Sequence, residues 1–341
     1  MIKDLTENYP AESSQDVSDR FGRRFDYLRI SVTDACNLSC IYCMPEDMVF
    51  RPRGDLLLDD EICRLVRVFA KLGFGKFRLT GGEPTVRENI AGLIRRIGKT
   101  SGVREVAMTT NGILLRQLAG PLARAGLRRI NVRLDTLDPE KFRRMSRRGN
   151  LDEVWAGILA AEEAGLDIKI NAVVIRGFND VEDAVELARM SLARAWQIRF
   201  LEVMPLGKLS GFQRGSIVSE AELRETITAA LGPLAPVETG RLGGAARLYR
   251  LQNAAGTIGF ISSVTQPFCS ACGRARLTAD GHLRLCLLRE NEVDLRTPLR
   301  TGTTNGELEI LIRDALRSKP REHDLAHDFV PLNRVMSEIG G

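Results

Sequence analysis

Apolar residues recur along this chain with two periods, and the switching between them sets out its architecture. Over residues 27–32 they alternate with polar ones, the pattern of a strand with one buried face. From Asp59 the period lengthens, and Ile62, Leu65, Val66, Phe69 and Leu72 form the stripe of an amphipathic helix. Strand patterns return over 76–80, 103–110, 129–134, 168–175 and 198–203. Helical patterns fill the gaps at 88–97, 114–125, 151–164 and 181–195, with Gly126 stopping one and Asn150 with Glu153 capping the next. Six strands alternating with helices over about 180 residues predict a parallel sheet. In such sheets ligands gather at the carboxyl ends of the strands. Six units fall short of a closed barrel, so the expected fold is α/β, an open partial (β/α)6 barrel whose missing wall comes from elsewhere.

The rest of the chain is the source of that wall. The expected division is a flexible lead-in over residues 1–25, with 19–25 docking at its end, a barrel over 26–205, and an α+β extension over 206–341 that closes it. The extension opens with a glycine-rich, basic connection at 207–215. Ser219 with Glu222 forms a capping box for a helix to about Leu231. Residues 247–251 and 257–262 read as short strands, and Asp280-Gly281 is a hairpin turn signal.

Composition narrows the function classes. The chain has 341 residues, 44% hydrophobic and 27% charged, and no apolar run approaches the ~20 residues a membrane span needs. Aromatics make up 6%, with no basic-aromatic stripe, so no surface for stacking nucleic acid is expected. A net charge of +5 suits an anionic ligand such as a nucleotide. Residues 1–20 are polar and acidic, without the apolar core of a secretion signal, and the seven cysteines are odd in number. Both features point to a reducing, cytoplasmic setting and to metal ligation in place of disulfides.

Six of those cysteines fall into two sets. Cys36, Cys40 and Cys43 lie within eight residues at the end of the first strand. Thiolates are the ligands that soft metals and iron–sulfur clusters select. A zinc site would want a fourth ligand close by, yet the three histidines, His282, His323 and His327, lie far downstream. A four-iron cluster held by three cysteines leaves one iron open to a small molecule. A disulfide loop or buried thiols are the plainer alternatives. Cys269, Cys272 and Cys286 form the second set, again three thiols with no obvious fourth ligand, the hairpin returning Cys286 toward Cys272.

Other residues carry two readings each. Gly81-Gly82, after the second strand, allow close backbone approach and free N–H groups for a carboxylate or phosphate, or form a simple turn. Arg29, Arg78 and Lys169 sit on three strands and face either the barrel interior or solvent. Thr109 and Asn111 bind ligand hydroxyls or shape a turn. Arg274 and Arg276, two apart on one strand face, make a phosphate clamp or an exposed hairpin edge. Cys63 reads as a packed small hydrophobe, and His323 with His327 as a solvated pair sharing a helical face. Gly340-Gly341 read as a frayed end or as a segment able to thread a narrow space.

With Tyr42 before its last cysteine, and with Gly81-Gly82-Glu83-Pro84, the first loop resembles the signature of the radical S-adenosylmethionine enzymes. The stretch 28–34 leading in, Met44-Pro45 leading out, residues 268–281 and the terminal double glycine make it similar to the branch that cyclises GTP at the start of molybdenum cofactor biosynthesis. This resemblance spans about residue 19 to the end. It implies two [4Fe–4S] clusters, on Cys36, Cys40 and Cys43 and on Cys269, Cys272 and Cys286, the second meeting the guanine of GTP. It implies S-adenosyl-L-methionine beside Tyr42, Gly82 and Met204, with Arg133 and Arg199 as further candidates there. It implies GTP on Arg29, Arg78, Thr109, Lys169, Arg274 and Arg276, and Gly340 and Gly341 assisting the reaction. An external electron donor, a downstream synthase that accepts the product, and a homodimer are implied as partners, and neither nucleic acid nor membrane.

Two positions depart from the family pattern. Arg133 stands where members usually carry a serine that contacts S-adenosylmethionine, so that contact is altered. Ala35 replaces a residue that is often basic. Three rival readings are a peptide-modifying radical enzyme, a non-catalytic iron–sulfur carrier and a zinc-dependent nucleic-acid binder. The first tends to carry more cysteines after residue 204, the second usually closes its clusters with four, and the third needs four ligands and a basic aromatic surface.

Overall fold

The computed structural model of the protein describes residues 17–206, 214–238, 245–323, 325 and 333–340. Residues 1–16 of the lead-in, most of the 207–215 connection, His327 and Gly341 lie outside the described residues. The lead-in is packed from Val17 onward. Val17 and Phe25 are buried, and the Asp19 carboxylate accepts from the N–H groups of Phe21 and Arg23 to hold the turn between them.

Six strands follow the expected alternation: β1 (Tyr27–Ser31), β2 (Lys76–Thr80), β3 (Glu105–Thr110), β4 (Arg129–Arg133), β5 (Asp167–Val174) and β6 (Gln197–Glu202). The intervening helices are α1 (Asp59–Lys71), α2 (Ile90–Gly98), α3 (Leu115–Arg124), α4 (Pro139–Ser146), α5 (Leu151–Glu163) and α6 (Glu182–Ala193). Helix α4 escapes the apolar pattern because Phe142 and Met145 are its buried apolar residues among charged ones. Its start signals are nonetheless written in the sequence, Asp138 accepting from the Lys141 N–H and Pro139 at the first position. The six strands are parallel neighbours in order, as the alternation requires.

The extension does not fill one gap; it flanks both edges. It contributes α7 (Glu220–Leu231), β7 (Leu234–Pro236), β8 (Arg247–Leu251), β9 (Thr257–Ile261), β10 (Arg274–Leu277), β11 (His282–Arg284) and β12 (Glu292–Asp294). It ends with α8 (Arg296–Arg300), α9 (Asn305–Arg317) and α10 (Met336–Ile339). Strand β9 pairs parallel with β6, and β10 pairs parallel with β1. The sheet order is β12-β11-β10-β1-β2-β3-β4-β5-β6-β9-β8-β7, so the parallel run has eight strands and remains open. Asp280-Gly281 does turn the antiparallel β10–β11 hairpin, with Gly281 at a φ of 85°.

Period two now decides which side chains meet. Leu28, Ile30, Phe77, Leu79, Ile130 and Ile170 face outward into the core beneath the helices. Cys63 is buried in that core, 2% exposed, as a small hydrophobe. The alternate positions face inward, and most of them are polar, among them Arg29, Arg78, Asn131 and Lys169.

Candidate active site

The inward face is lined with cations. Strand register sets Arg276 beside Arg29 and Arg29 beside Arg78 on three adjacent strands. Arg274, Arg129, Lys169 and Arg199 join them from β10, β4, β5 and β6, each acting electrostatically on others of the group. The sequence reading omitted Arg129; the acid facing it is Glu105, at 2.5 Å. Burial and then Arg276 push Arg29 well below the usual guanidinium value. Burial and then Arg78 do the same to Arg199, and burial with Arg274 brings Arg276 to about 10. Burial, then Arg199, Arg129 and Arg78, bring Lys169 down to about 7. Burial would raise the Tyr27 phenol, but Arg78, Arg29, Arg274 and Arg129 outweigh it and lower it. Arg78 Nε, Tyr27 OH and Thr109 Oγ1 are buried without a hydrogen-bond partner among the described residues. A face this cationic, with donors to spare, is built for a polyanion. At the amino ends of β4 to β6 it opens into a cavity of about 320 Å³ whose lining includes Arg129, Lys169 and Arg250.

Arg199 has neutral neighbours of its own. Its Nε donates to Asn171 Oδ1 at 2.8 Å and its Nη2 to Asn131 Oδ1 at 2.5 Å, which place it among the inward cations of the barrel.

The first cysteine loop sits at the carboxyl end of β1. Burial pushes Cys36 up to about 12 and raises Cys40 and Cys43. Asn111 belongs to this loop, its Nδ2 donating to Asn37 Oδ1 at 2.7 Å and reaching Cys36 Sγ at 3.9 Å. Gly81 and Gly82 serve differently from the expectation. The Gly82 N–H donates to Thr33 O at 2.7 Å and the Glu83 N–H to Ala35 O at 2.8 Å, so these N–H groups are taken by the strand leading into the loop. A Cβ on Gly82 would lie 2.4 Å from the carbonyl oxygens of Asp34 and Ala35, which is why the position needs glycine. Glu83 is a buried anchor: burial raises its carboxyl, and it accepts from Thr110 Oγ1, Thr85 and the Asn111 N–H. Tyr42 donates to Asp135 Oδ2 at 2.9 Å, and Arg133 Nε donates to the same oxygen at 2.6 Å. Met204 packs with Leu206, Leu288, Cys286 and Met336, on the side of the second cysteine site.

That second site is assembled from distant pieces. Cys269 opens a 3-10 turn that Cys272 closes, and Cys286 follows β11. Arg23 donates to Cys269 O at 2.9 Å and to the carbonyls of Pro320 and Arg321, while its Nε pairs with the buried Asp19 at 2.5 Å. Lys319 Nζ donates to Arg274 O at 2.7 Å and to Leu285 O. Burial would raise the Cys272 thiol, but Lys319, Arg274 and Arg276 outweigh it and lower it. Sequence reasoning missed Arg23 and Lys319. His323 is in no described helix; its Nε2 lies 3.1 Å from Ser263 O.

The chain end joins the two sites. Met336 N–H donates to Cys43 O at 3.2 Å, and the Ser337 N–H bonds the Cys43 sulfur. Arg334 pairs with Asp280 at 3.0 Å and Glu292 at 2.7 Å. Gly340 O accepts from Arg276 Nη1 at 2.9 Å, and the glycine lies against Ser31 and Thr80 with a φ of 77°.

The thiols fit iron–sulfur ligation. Within each triplet the sulfurs feel one another's charge. Among the described residues no three Cys, His, Asp or Glu side chains gather tightly enough to hold a single metal ion. Three thiolates without a fourth protein ligand suit a multi-iron cluster that keeps one iron open. No described helix is long and apolar enough to cross a membrane.

Comparison with known proteins places these features in context. Residues 30–190 match the model of the Radical SAM superfamily, and residues 196–325 that of Molybdenum Cofactor Synthesis C. A GTP 3′,8-cyclase of Pelotomaculum thermopropionicum is 45% identical over 327 residues, 95% of this chain and all of the relative. One from Pseudomonas putida is 44% identical over 335 residues, covering 97% and 99%. Among solved structures, Streptococcus suis SuiB aligns with a TM-score of 0.60 at 14% identity, over 91% of this chain and 70% of that one. Methylornithine synthase (PylB) aligns at 0.51 and 20% identity, over 85% and 86%. These two likenesses concern the fold.

Proposed function

The chain belongs to the GTP 3′,8-cyclases of the radical S-adenosylmethionine superfamily, and from that premise we propose how its residues divide the reaction. The reaction is the first step of molybdenum cofactor biosynthesis, a lyase-type cyclisation of GTP to (8S)-3′,8-cyclo-7,8-dihydroguanosine 5′-triphosphate, in which ribose C3′ is joined to C8 of the base. The observation that carries the residue assignment is the register that sets Arg276, Arg29 and Arg78 side by side. Adjacent strands lie about 4.8 Å apart. Three guanidiniums on neighbouring strands repel one another until a polyanion joins them, and a triphosphate supplies about four negative charges.

Arg29, Arg78, Lys169, Arg274 and Arg276 are assigned to GTP, with the unpartnered Thr109 hydroxyl as a further donor. Cys36, Cys40 and Cys43 would hold one [4Fe–4S] cluster and Cys269, Cys272 and Cys286 a second. When bound and reduced, the first cluster supplies the electron that splits S-adenosylmethionine into methionine and the 5′-deoxyadenosyl radical that takes hydrogen from C3′. Tyr42, Gly82, Met204, Arg133 and Arg199 are assigned to the S-adenosylmethionine side, Arg199 being held by Asn131 and Asn171. Gly340, held by Arg276 against the carboxyl ends of β1 and β2, is assigned to narrowing the space around the reacting ribose, and Gly341 to the same catalytic role. Residues 26–205 would generate the radical and supply Arg29, Arg78, Thr109 and Lys169 to GTP, while 206–341 would add the second cluster with Arg274 and Arg276. We also propose an external electron donor and a cytoplasmic setting, because thiol-held clusters need a reducing compartment and a supplied electron, and, from membership of the family alone, a synthase that takes the product and a homodimer.

The test is an anaerobic assay of reconstituted protein with S-adenosylmethionine, a strong reductant and GTP. GTP-dependent 5′-deoxyadenosine together with a cyclised product is the expected result. 5′-Deoxyadenosine formed while GTP stays intact would overturn the substrate assignment.

A further inference from the structure

Arg133 is the residue at the first cysteine site that the family pattern does not explain. It ends β4 with its side chain 14% exposed. Its Nη1 is directed at Cys40 Sγ in close contact, and its Nε donates to Asp135 Oδ2 at 2.6 Å. Its guanidinium lies over the Tyr42 ring, 5.1 Å from the centroid. Asp135 is fully buried and fixed in turn: Oδ1 accepts from the Val173 N–H at 2.9 Å and Oδ2 from the Tyr42 hydroxyl at 2.9 Å. The guanidinium is therefore clamped by Asp135 on one side, stacked on Tyr42 on another, and points its Nη1 at a sulfur.

We propose that Arg133 is a positioning residue that raises the reduction potential of the centre held by Cys36, Cys40 and Cys43, by directing a fixed, charge-assisted hydrogen bond at the Cys40 sulfur. This rests on the reading of that triplet as the ligand set of a [4Fe–4S] cluster. Hydrogen bonds to the sulfurs and the net charge nearby are among the chief determinants of such potentials. Reduction adds negative charge to the centre, and a neighbouring cation stabilises that state. Asp135 offsets part of the charge, but it lies behind the guanidinium and shares its lone pairs with Tyr42 and Val173, so the positive end of the pair faces Cys40. The serine usual at this position offers a neutral hydroxyl on a shorter arm. A more readily reduced centre suits a weaker electron donor.

The experiment is a spectroscopic redox titration of reconstituted full-length protein, with R133S, R133Q and R133K, following both iron–sulfur couples. The couple that responds to added S-adenosylmethionine is the first site, and the other serves as an internal reference. In R133S the first couple is expected to move to a more negative potential by at least threefold in the reduced-to-oxidised ratio, about 28 mV for one electron. R133K, which keeps the charge, should retain most of the original potential, and R133Q should fall between. The reference couple should not move. An unmoved first couple in R133S, or in R133Q should R133S lose its iron, overturns the proposal. So does a fall in S-adenosylmethionine affinity at unchanged potential, which would make Arg133 a ligand contact. A single iron–sulfur couple insensitive to S-adenosylmethionine in the unaltered chain would instead sink the reading of the first triplet.

Discussion

The first cysteine site is carried by eight consecutive residues, whereas the second draws on the Cys269–Cys272 turn and on Cys286 beyond a hairpin. Their electrostatics differ in the same sense. Burial raises all three thiols of the first loop, and Cys40 accepts from the guanidinium of Arg133, with Arg147 acting on it more weakly. At the second, Lys319, Arg274 and Arg276 bring Cys272 below its ordinary value. Those two arginines also belong to the cation-lined inward face. A ligand site that shares its cations with the substrate side is suited to bringing a polyanionic substrate close to its metal; a site buried away from them is suited to chemistry that must run dry.

Replacing single ligands would break that comparison most severely. Cys36→Ala should abolish cleavage of S-adenosylmethionine altogether. Cys272→Ala should abolish the cyclised product while leaving reductive cleavage of S-adenosylmethionine measurable. Product analysis of both variants under one reductant checks this, and equal loss of cleavage in the two would mean the sites do not divide the work. Next in size is Gly340→Val. A Cβ there would sit 2.4 Å from Thr80 Oγ1 and 2.9 Å from Ser31 Cβ, at a φ of 77° that valine resists. Displacing the chain end should cost about 100-fold in cyclisation, the scale of a misplaced reacting group. GTP affinity, measured by equilibrium binding, should stay near that of the unaltered protein.

Arg23→Ala probes how the second site is assembled. It leaves the Asp19 carboxylate buried and unpaired and frees the Cys269, Pro320 and Arg321 carbonyls. Breaking a buried pair costs about 3–5 kcal/mol, read from denaturant unfolding. Iron should be lost from the second site before the first; iron lost equally from both would show that Arg23 serves the whole fold.

What could be read from sequence follows the same divide. The first loop, the six alternating strands and the Asp280-Gly281 turn are local patterns, and each lies where its spacing implies. Arg23 and Lys319 meet partners across hundreds of residues or in irregular chain, so no spacing announces them. Strands β9 and β10 were not legible as barrel neighbours, because short strands carry no record of which edge they join. Gly81-Gly82 were legible as a close approach but not as to what approaches, which proved to be the Thr33–Ala35 backbone itself. Arg129, one strand residue among many charged ones, becomes a candidate only when period two is projected through the register.

Lys169 tests the comparison from the substrate's side, with the smallest effect. Burial, then Arg199, Arg129 and Arg78, hold its ammonium at about 7, so in the free protein it loses its proton as the pH rises through that value. A bound triphosphate favours the charged form and raises the value toward the ordinary ~10.4. Between those limits the complex holds a proton that the free protein has released, so GTP binding takes up a proton and affinity falls with rising pH. The slope from one such group is at most about tenfold per pH unit. Below about pH 7 lysine is charged in both states and contributes no slope. Calorimetric titration of GTP across pH 6.5 to 9, in buffers of different ionisation heat, reads both affinity and proton uptake. Lys169→Arg, which does not titrate in this range, should flatten the profile. The same slope in that variant would place the titrating group elsewhere, on the nucleotide or on Tyr27, whose phenol the surrounding arginines already lower.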